Sequence, residues 1–411
     1  MLKWTYYSCK NWQWFLIPLI FLGFIGFLAS CGKKKPPETL GIRLLEISGE
    51  WDASAYKKII EDYAAANPEL IVEVTAEAQN LESVADNPLK SISHTDVCLF
   101  PSLLIDSLTP LKSSFYPLSA TSASFYPLLH EGYQKTETES WAIPLTFDPV
   151  LCIVKKGPIQ SAGRSVPVEK WSSIRMASNE LLGQDKPFPH IGFVRNGWRG
   201  LTDGFAALQL SYGYASHSIR DADKKELMDK RTLERYLGYS TNGLKSYFAP
   251  EDEPVSDLLV FDSLQAFLEN ESVFITFARL SDVESLPKDQ QDQVVAGLIP
   301  SKNPSPVLPG YAVAASIPLS AQNPSRAKAF IQYLTENLAV IAKQTNTVAG
   351  KPSVESGRDF LSPDTYCIVR KNGKSIQKSD LIQVFNGEIP VKDCNQKWEE
   401  AYSIPEPEKN N

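Results

Sequence analysis

One stretch constrains the fold more than any other: Trp141–Val154, WAIPLTFDPVLCIV. It opens on an aromatic, passes Pro144 and Pro149, which fix φ, and ends as an apolar, β-rich strand. Before it lies a run of strands and helices with its own apolar pattern. After it comes a second such run, and late in the chain the first pattern resumes. A chain arranged in this way builds two lobes, and this stretch reads as the first crossing between them. Phe147 and Asp148 stand between the prolines, where the backbone is extended and side chains are held firmly. An aromatic beside a carboxylate suits a sugar-like ligand, offering an apolar ring face and acceptors for hydroxyl donors.

The N-terminus is of another kind. Lys3 and Lys10 precede an apolar run, Phe15–Ala29, which closes on Leu28, Ala29, Ser30 and Cys31. A basic start, an apolar centre and small residues at the end outline a signal peptide over residues 1–30. The LASC ending resembles the bacterial lipobox, which implies that Cys31 is acylated and becomes the first residue. Either cleavage or retention of this segment places the folded part outside the cytoplasm, tethered to a membrane. Residues 31–39 read as the lipidated cysteine and a short tether, rich in lysine and proline. The formal net charge is −7, and loss of Lys3 and Lys10 with the signal makes it more negative. Nucleic acid is therefore excluded as a partner, because phosphate binding needs a basic face.

The chain then opens as a β-α-β unit. Leu40–Ile47 reads as a strand, Ala53–Ala66 as a helix stopped by Asn67-Pro68, and Glu69–Ala76 as a strand. Parallel pairing is expected, with ligands bound beyond the carboxyl ends of the strands. Trp51 follows the first strand and falls there. Asp96–Phe100 is a further strand. In the second run, Asn196–Gly200 is a loop in which Trp198 could stack on a ligand and Arg199 hydrogen-bond to it. Ser256–Asn270 reads as a helix and Ser272–Ala278 as a buried strand with Arg279 at its end. Val294–Ile299 is a strand, and Pro309–Ile317 another that carries Tyr311 near its start. Asn323 and Pro324 open a helix whose apolar face is Ala327, Phe330, Ile331, Leu334, Leu338 and Ile341.

Several of these stretches resemble the family 1 extracellular solute-binding proteins, the maltose-type receptors of ABC importers. YAAANPELIVEV (Tyr63–Val74) resembles the family's F…NPGIKVEV segment, and TDVCLF (Thr95–Phe100) its PDVV strand. WAIPLTFDPVLCIVKK (Trp141–Lys156) resembles YGIPL…LLYNKD, and IPLSAQNPSRAKAFIQYLT (Ile317–Thr335) resembles I…SKNPEAAKKFIDFLT. Thr345–Ser353 resembles the return to the second lobe and Asp393–Ala401 the terminal helix. Lys155–Ile159 departs from the family, which has Asn-Lys-Asp there. The resemblance implies an α/β, two-lobed periplasmic-binding-protein fold with a hinge of three crossings and a ligand cleft between the lobes. It divides the chain into a first lobe (40–148 and 312–348), a second lobe (149–311 and 349–405) and a tail (406–411). It also places the loop holding Arg279, and the aromatic Tyr311, against the ligand. The expected ligand set is Trp51, Phe147, Asp148, Trp198, Arg199, Arg279 and Tyr311. The expected partners are a carbohydrate and an ABC permease, with the receptor a monomer.

Chemistry of other kinds is missing from the sequence. No G-x-S-x-G, H-E-x-x-H or G-x-G-x-x-G occurs. Gly373-Lys374-Ser375 imitates the end of a P-loop, but Ile368 stands where its first glycine belongs. No C-x-x-C pair exists, so a zinc ribbon is not expected. Cys98 and Cys152 read as buried residues of apolar strands. Cys367 and Cys394 lie in polar surroundings and could form a disulfide outside the cytoplasm. Neither a metal, a cofactor nor a catalytic residue is expected. Two rival readings keep the anchor: an extracytoplasmic glycoside-acting enzyme, and a sensor or adhesin on the same fold.

Overall fold

The computed structural model describes residues 38–48, 51, 53–120, 124–126, 129–163, 193–194, 260–261, 263–270, 274–298, 307–351 and 366–369. Among them, nine strands make one sheet: β1 (Glu38–Leu44), β2 (Leu70–Ala76), β3 (Val97–Pro101), β4 (Ile143–Lys155), β5 (Ile275–Arg279), β6 (Val294–Gly297), β7 (Val307–Ser316), β8 (Val348–Ala349) and β9 (Tyr366–Val369). The helices that bear on the site are α1 (Ser54–Ala66), α2 (Leu264–Glu269), α3 (Leu280–Glu284), α4 (Pro324–Glu336) and α5 (Leu338–Gln344). The main path of the sheet is β6-β4-β7-β3-β1-β2. β1 is parallel to β2 and β3, as a β-α-β unit requires. β7 runs antiparallel to both β3 and β4, because it returns where β4 went out.

Two apolar layers sandwich the β1–β3 end of this sheet. Strand alternation sends Leu40, Ile42, Leu44, Val97 and Leu99 to one face, and Cys98 and Phe100 to the other. On the first face α1 buries Tyr56, Ile59, Ile60 and Tyr63, a spacing that keeps all four on one side of a helix. α4 buries Ala327, Phe330, Ile331 and Leu334 beside it, and Tyr63 meets Phe330 edge-on at 4.8 Å between ring centres. On the second face Phe100 stacks on Trp141 at 5.6 Å, with Phe115 and Tyr133 packed around the indole. Each fully buried ring of this kind contributes roughly 1.5–3 kcal/mol of transfer free energy.

β4 is the element that joins the two ends of the sheet. Residues 143–149 pair with β7, and residues 150–154 pair with β5. Residues 152–155 also pair with β6, so Cys152–Val154 have strands on both edges. Residues 150–154 are all buried, so both faces of the strand are covered as well as its edges, which accounts for the unbroken run VLCIV. The partners change at the Pro149–Gly310 pair. Proline has no N–H to leave unpaired at that junction.

Several boundaries differ from those expected. Glu38 and Thr39, assigned to the tether, already pair with Leu70 and Ile71. The helix expected over Ser256–Asn270 is cut to α2, because Val260–Phe261 pair as a short strand with Phe193–Val194. Ser263 then accepts from the Ala266 N–H and caps α2. The long apolar face after Asn323 is carried by two helices, α4 and α5, which meet at Asn337. The Asn323 side chain makes no cap bond; its Nδ2 donates to the Thr39 carbonyl at 2.6 Å and ties α4 to β1. Cys98, Cys152 and Cys367 are buried, and burial pushes the Cys152 thiol up to about 12. Cys394, Cys31, the signal segment and the expected terminal helix Asp393–Ala401 lie outside the described residues. No helix among the described residues is long and apolar enough to cross a membrane.

Candidate functional site

The site is set by an irregularity in β4. Along the β4–β7 ladder Val313 faces Thr146 and Ala314 faces Pro144, so Leu145 is an extra residue. This is a β-bulge, and it inverts the phase of the strand beyond it. Ile143 and Leu145 point into the α1/α4 layer, whereas Phe147, Leu151 and Ile153 point into the opposite one. Without the bulge, odd-numbered residues would keep to one face. With it, Thr146 and Asp148 share the α1 side. The bulged Leu145 carbonyl accepts from the Gly350 N–H at 2.8 Å, just after β8, so the third crossing segment docks on the bulge itself.

Asp148 is half-buried, and both of its oxygens are engaged. The Ser281 N–H donates to Oδ1 at 3.1 Å and the Ser281 hydroxyl to Oδ2 at 2.6 Å. Burial pushes the carboxyl up to about 6, against the downward pull of Arg279 and of the Ser281 hydroxyl; Asp282 adds to the rise. Arg279 ends β5 opposite Val150, and its guanidinium lies over the Tyr311 ring at 4.3 Å. Tyr311 faces Asp148 across the ladder. Three of the expected ligand residues, Asp148, Arg279 and Tyr311, thus come from three separate strands to one place. Tyr311 is buried beneath the guanidinium, so Arg279 and the carboxylate present the more accessible polar groups.

Trp51 reaches this place through a neighbour. It is half-buried, bridged to Ile47 by two main-chain hydrogen bonds, and its ring meets Tyr56 edge-on at 5.8 Å. The Tyr56 hydroxyl in turn lies 2.6 Å from Thr146 Oγ1. Phe147, expected to lay its ring against a ligand, lies wholly in the core and has no exposed surface. Neighbouring residues of a strand point to opposite faces, so Phe147 turns away from Asp148, and the bulge sends its ring into the layer beneath Gly310. Trp198 and Arg199 lie outside the described residues.

Sequence reasoning missed Tyr56, Thr146 and Ser281. Tyr56 looked like one more apolar residue on a helix face. Ser281 had a usable signal, standing two residues after Arg279 in the segment expected to face the ligand. Elsewhere, a concavity of about 630 Å³ lies between residues 105–112 and 131–136 and includes none of the expected residues.

No protein-family model matches the chain, and no curated protein matches it in sequence. Its fold does match solved structures. The sugar-binding protein MalE from Xanthomonas citri gives a TM-score of 0.61 at 13% identity, over 89% of this chain and 97% of that one. The GacH receptor of Streptomyces glaucescens, known unliganded and in complex with acarbose, gives 0.59 at 14% identity, over 89% and 99%. The ABC substrate-binding protein Lmo0181 from Listeria monocytogenes, in complex with cycloalternan, gives 0.57 at 12% identity, over 89% and 98%. The chain therefore has the two-lobed α/β fold of ABC substrate-binding proteins.

Proposed function

We propose that this chain is an extracytoplasmic solute receptor that captures a sugar or oligosaccharide between its lobes and presents it to an ABC permease. The observation that carries the reading is the convergence of Asp148, Arg279 and Tyr311 at the point where the crossing strands change partners. A carboxylate accepts from ligand hydroxyls, a guanidinium donates to ligand oxygens, and a half-buried indole such as Trp51 offers an apolar face. On this reading they stand where a hinge would bend. Ligand that touches both lobes only when they close shifts the population toward the closed form, which a permease can recognise. The lobes divide at residues 148/149, 311/312 and 348/349 on this reading, and Trp198 and Arg199 complete the grip from the second lobe. On this reading the chain binds its ligand without turning it over.

The test is a panel of maltose, mannotriose, D-mannitol and α-D-tagatose, which are ligands of other proteins sharing this fold. A ligand at one hundred times its Kd adds about 2.7 kcal/mol to stability and should raise the melting temperature visibly. Binding with one-to-one stoichiometry supports the reading. No shift with any carbohydrate, or release of cleaved sugar, overturns it.

The attachment to the membrane follows from the LASC end of the apolar leader. One acyl chain holds only marginally, so lipidation at Cys31 must add more than one for stable anchoring. Cys31→Ser should leave the precursor uncut and remove metabolic acyl label. Retention of the label on the variant would rule the anchor out.

A further inference from the structure

We propose that Ser281 and the Tyr56–Thr146 pair are positioning residues for Asp148, two clamps that grip β4 on one face from opposite sides of the crossing. The proposal rests on the reading of Asp148 as a ligand group and adds what holds that group in place. The first clamp comes from α1. Tyr56 and Thr146 are 2% and 1% exposed, and their hydroxyls are 2.6 Å apart. Two hydroxyls buried so deeply cost free energy unless each satisfies the other, and a Phe and a Val would fill the same space without that demand. What the pair adds is direction: it fixes α1 against one residue of the strand. The second clamp comes from α3, which follows β5 directly. Ser281 uses its main-chain N–H on one carboxylate oxygen and its hydroxyl on the other.

The bulge makes the two clamps work together. Thr146 and Asp148, two residues apart, share one side of β4 by strand alternation, and the bulge turns that side toward α1, with Phe147 held in the opposite core layer. The α1 side of the molecule therefore grips one end of a three-residue segment, and the α3 side grips the other. Rotation of one lobe against the other is thereby confined to the segment between these anchors, and the carboxylate keeps its aim on the α3 side while the strand bends. The charged and titratable groups that face Asp148 are Arg279 at the end of β5, Asp282 on α3, Tyr56 on α1 and Tyr311 opposite it on β7. Burial raises the Tyr56 hydroxyl well above the usual tyrosine range, so it stays neutral when Asp148 titrates.

Two measurements on the full, unliganded chain in detergent test this, and neither needs the ligand's identity. The first reads the pH at which Asp148 takes up its proton, from the stability difference between each protein and its Asp148→Asn counterpart. Ser281→Ala should move that pH upward, because the hydroxyl that stabilises the anion is gone, and Ser281→Thr should bring it back. The second is hydrogen exchange. Tyr56→Phe and Ser281→Ala should each speed exchange in peptides covering residues 143–151 by about tenfold and leave β1 and β2 unchanged. Localised exchange with a moved and Thr-rescued midpoint supports the clamps. A fixed midpoint, or exchange that rises evenly through the sheet, overturns them, whatever the carbohydrate panel shows. Sound clamps with no sugar bound would instead count against the receptor reading alone.

Discussion

Asp148→Asn is expected to make the unliganded protein more stable at neutral pH and to weaken its hold on a sugar. The sign follows from the titration. The carboxyl ionises at about 6 in the folded chain, against 3.8 for an ordinary aspartate. Between those values the native state holds a proton that the unfolded chain has lost, so stability falls as pH rises through this window. Above it the folded protein carries a half-buried charge that burial disfavours more than Arg279 and Ser281 favour. Asparagine removes the charge and keeps an acceptor for Ser281, whose hydroxyl can turn to meet the new amide. The variant should match the wild type near pH 4 and exceed it by ~2 kcal/mol at pH 7, a figure reduced from the fully buried limit for partial solvent contact. Loss of charge-assisted hydrogen bonds should meanwhile weaken binding by about 1.5–3 kcal/mol. Chemical denaturation across this pH range checks the first part, and calorimetry with a sugar that binds checks the second. A variant less stable than wild type at pH 7 would mean that the charge is a net stabiliser and has no need of a ligand to justify it. A group kept at a cost to stability is what a binding site is expected to contain.

The convergence at Asp148 also shows how far sequence carries. The two prolines and the apolar run VLCIV identified β4 as a crossing strand, because a strand buried on both faces leaves no room for polar alternation. The β-α-β order fixed parallel pairing at the other end of the sheet. Arg279 and Tyr311 came through resemblance, and they do meet. What could not be read is the phase of β4. Nothing in IPLTFDP announces that Leu145 is an extra residue, because a bulge is specified by what docks on it, here the Gly350 N–H some two hundred residues on. Alternation alone keeps Phe147 and Asp148 from facing one ligand together, and the bulge decides that the ring takes the core. The same limit hid Tyr56. Its hydroxyl partner lies 90 residues away, and a tyrosine on an apolar helix face looks like any other core residue.

Gly310→Ala is expected to be among the most damaging single substitutions in the described part of the chain. Gly310 lies opposite Pro149, at the end of the β4–β7 ladder. A Cβ built there would sit 2.4 Å from the Asp148 carbonyl oxygen and 2.7 Å from Phe147 Cζ. The ring end could shift, but the carbonyl belongs to a strand held on both sides of this point. Overpacking of this kind costs typically 1–3 kcal/mol where side chains can adjust, and about 3 kcal/mol or more is expected here because backbone must move. Phe147→Leu in the same chain should recover only part of the loss, since it relieves the ring contact and leaves the carbonyl contact in place. Denaturant unfolding of the two variants measures both quantities. The displaced strand carries Tyr311, so any of the variant that folds should also bind sugar less well. Full recovery by Phe147→Leu would show that the ring, and not the approach of the two backbones, demands glycine at this position. Wild-type stability in Gly310→Ala alone would mean that the crossings stand farther apart than their pairing implies.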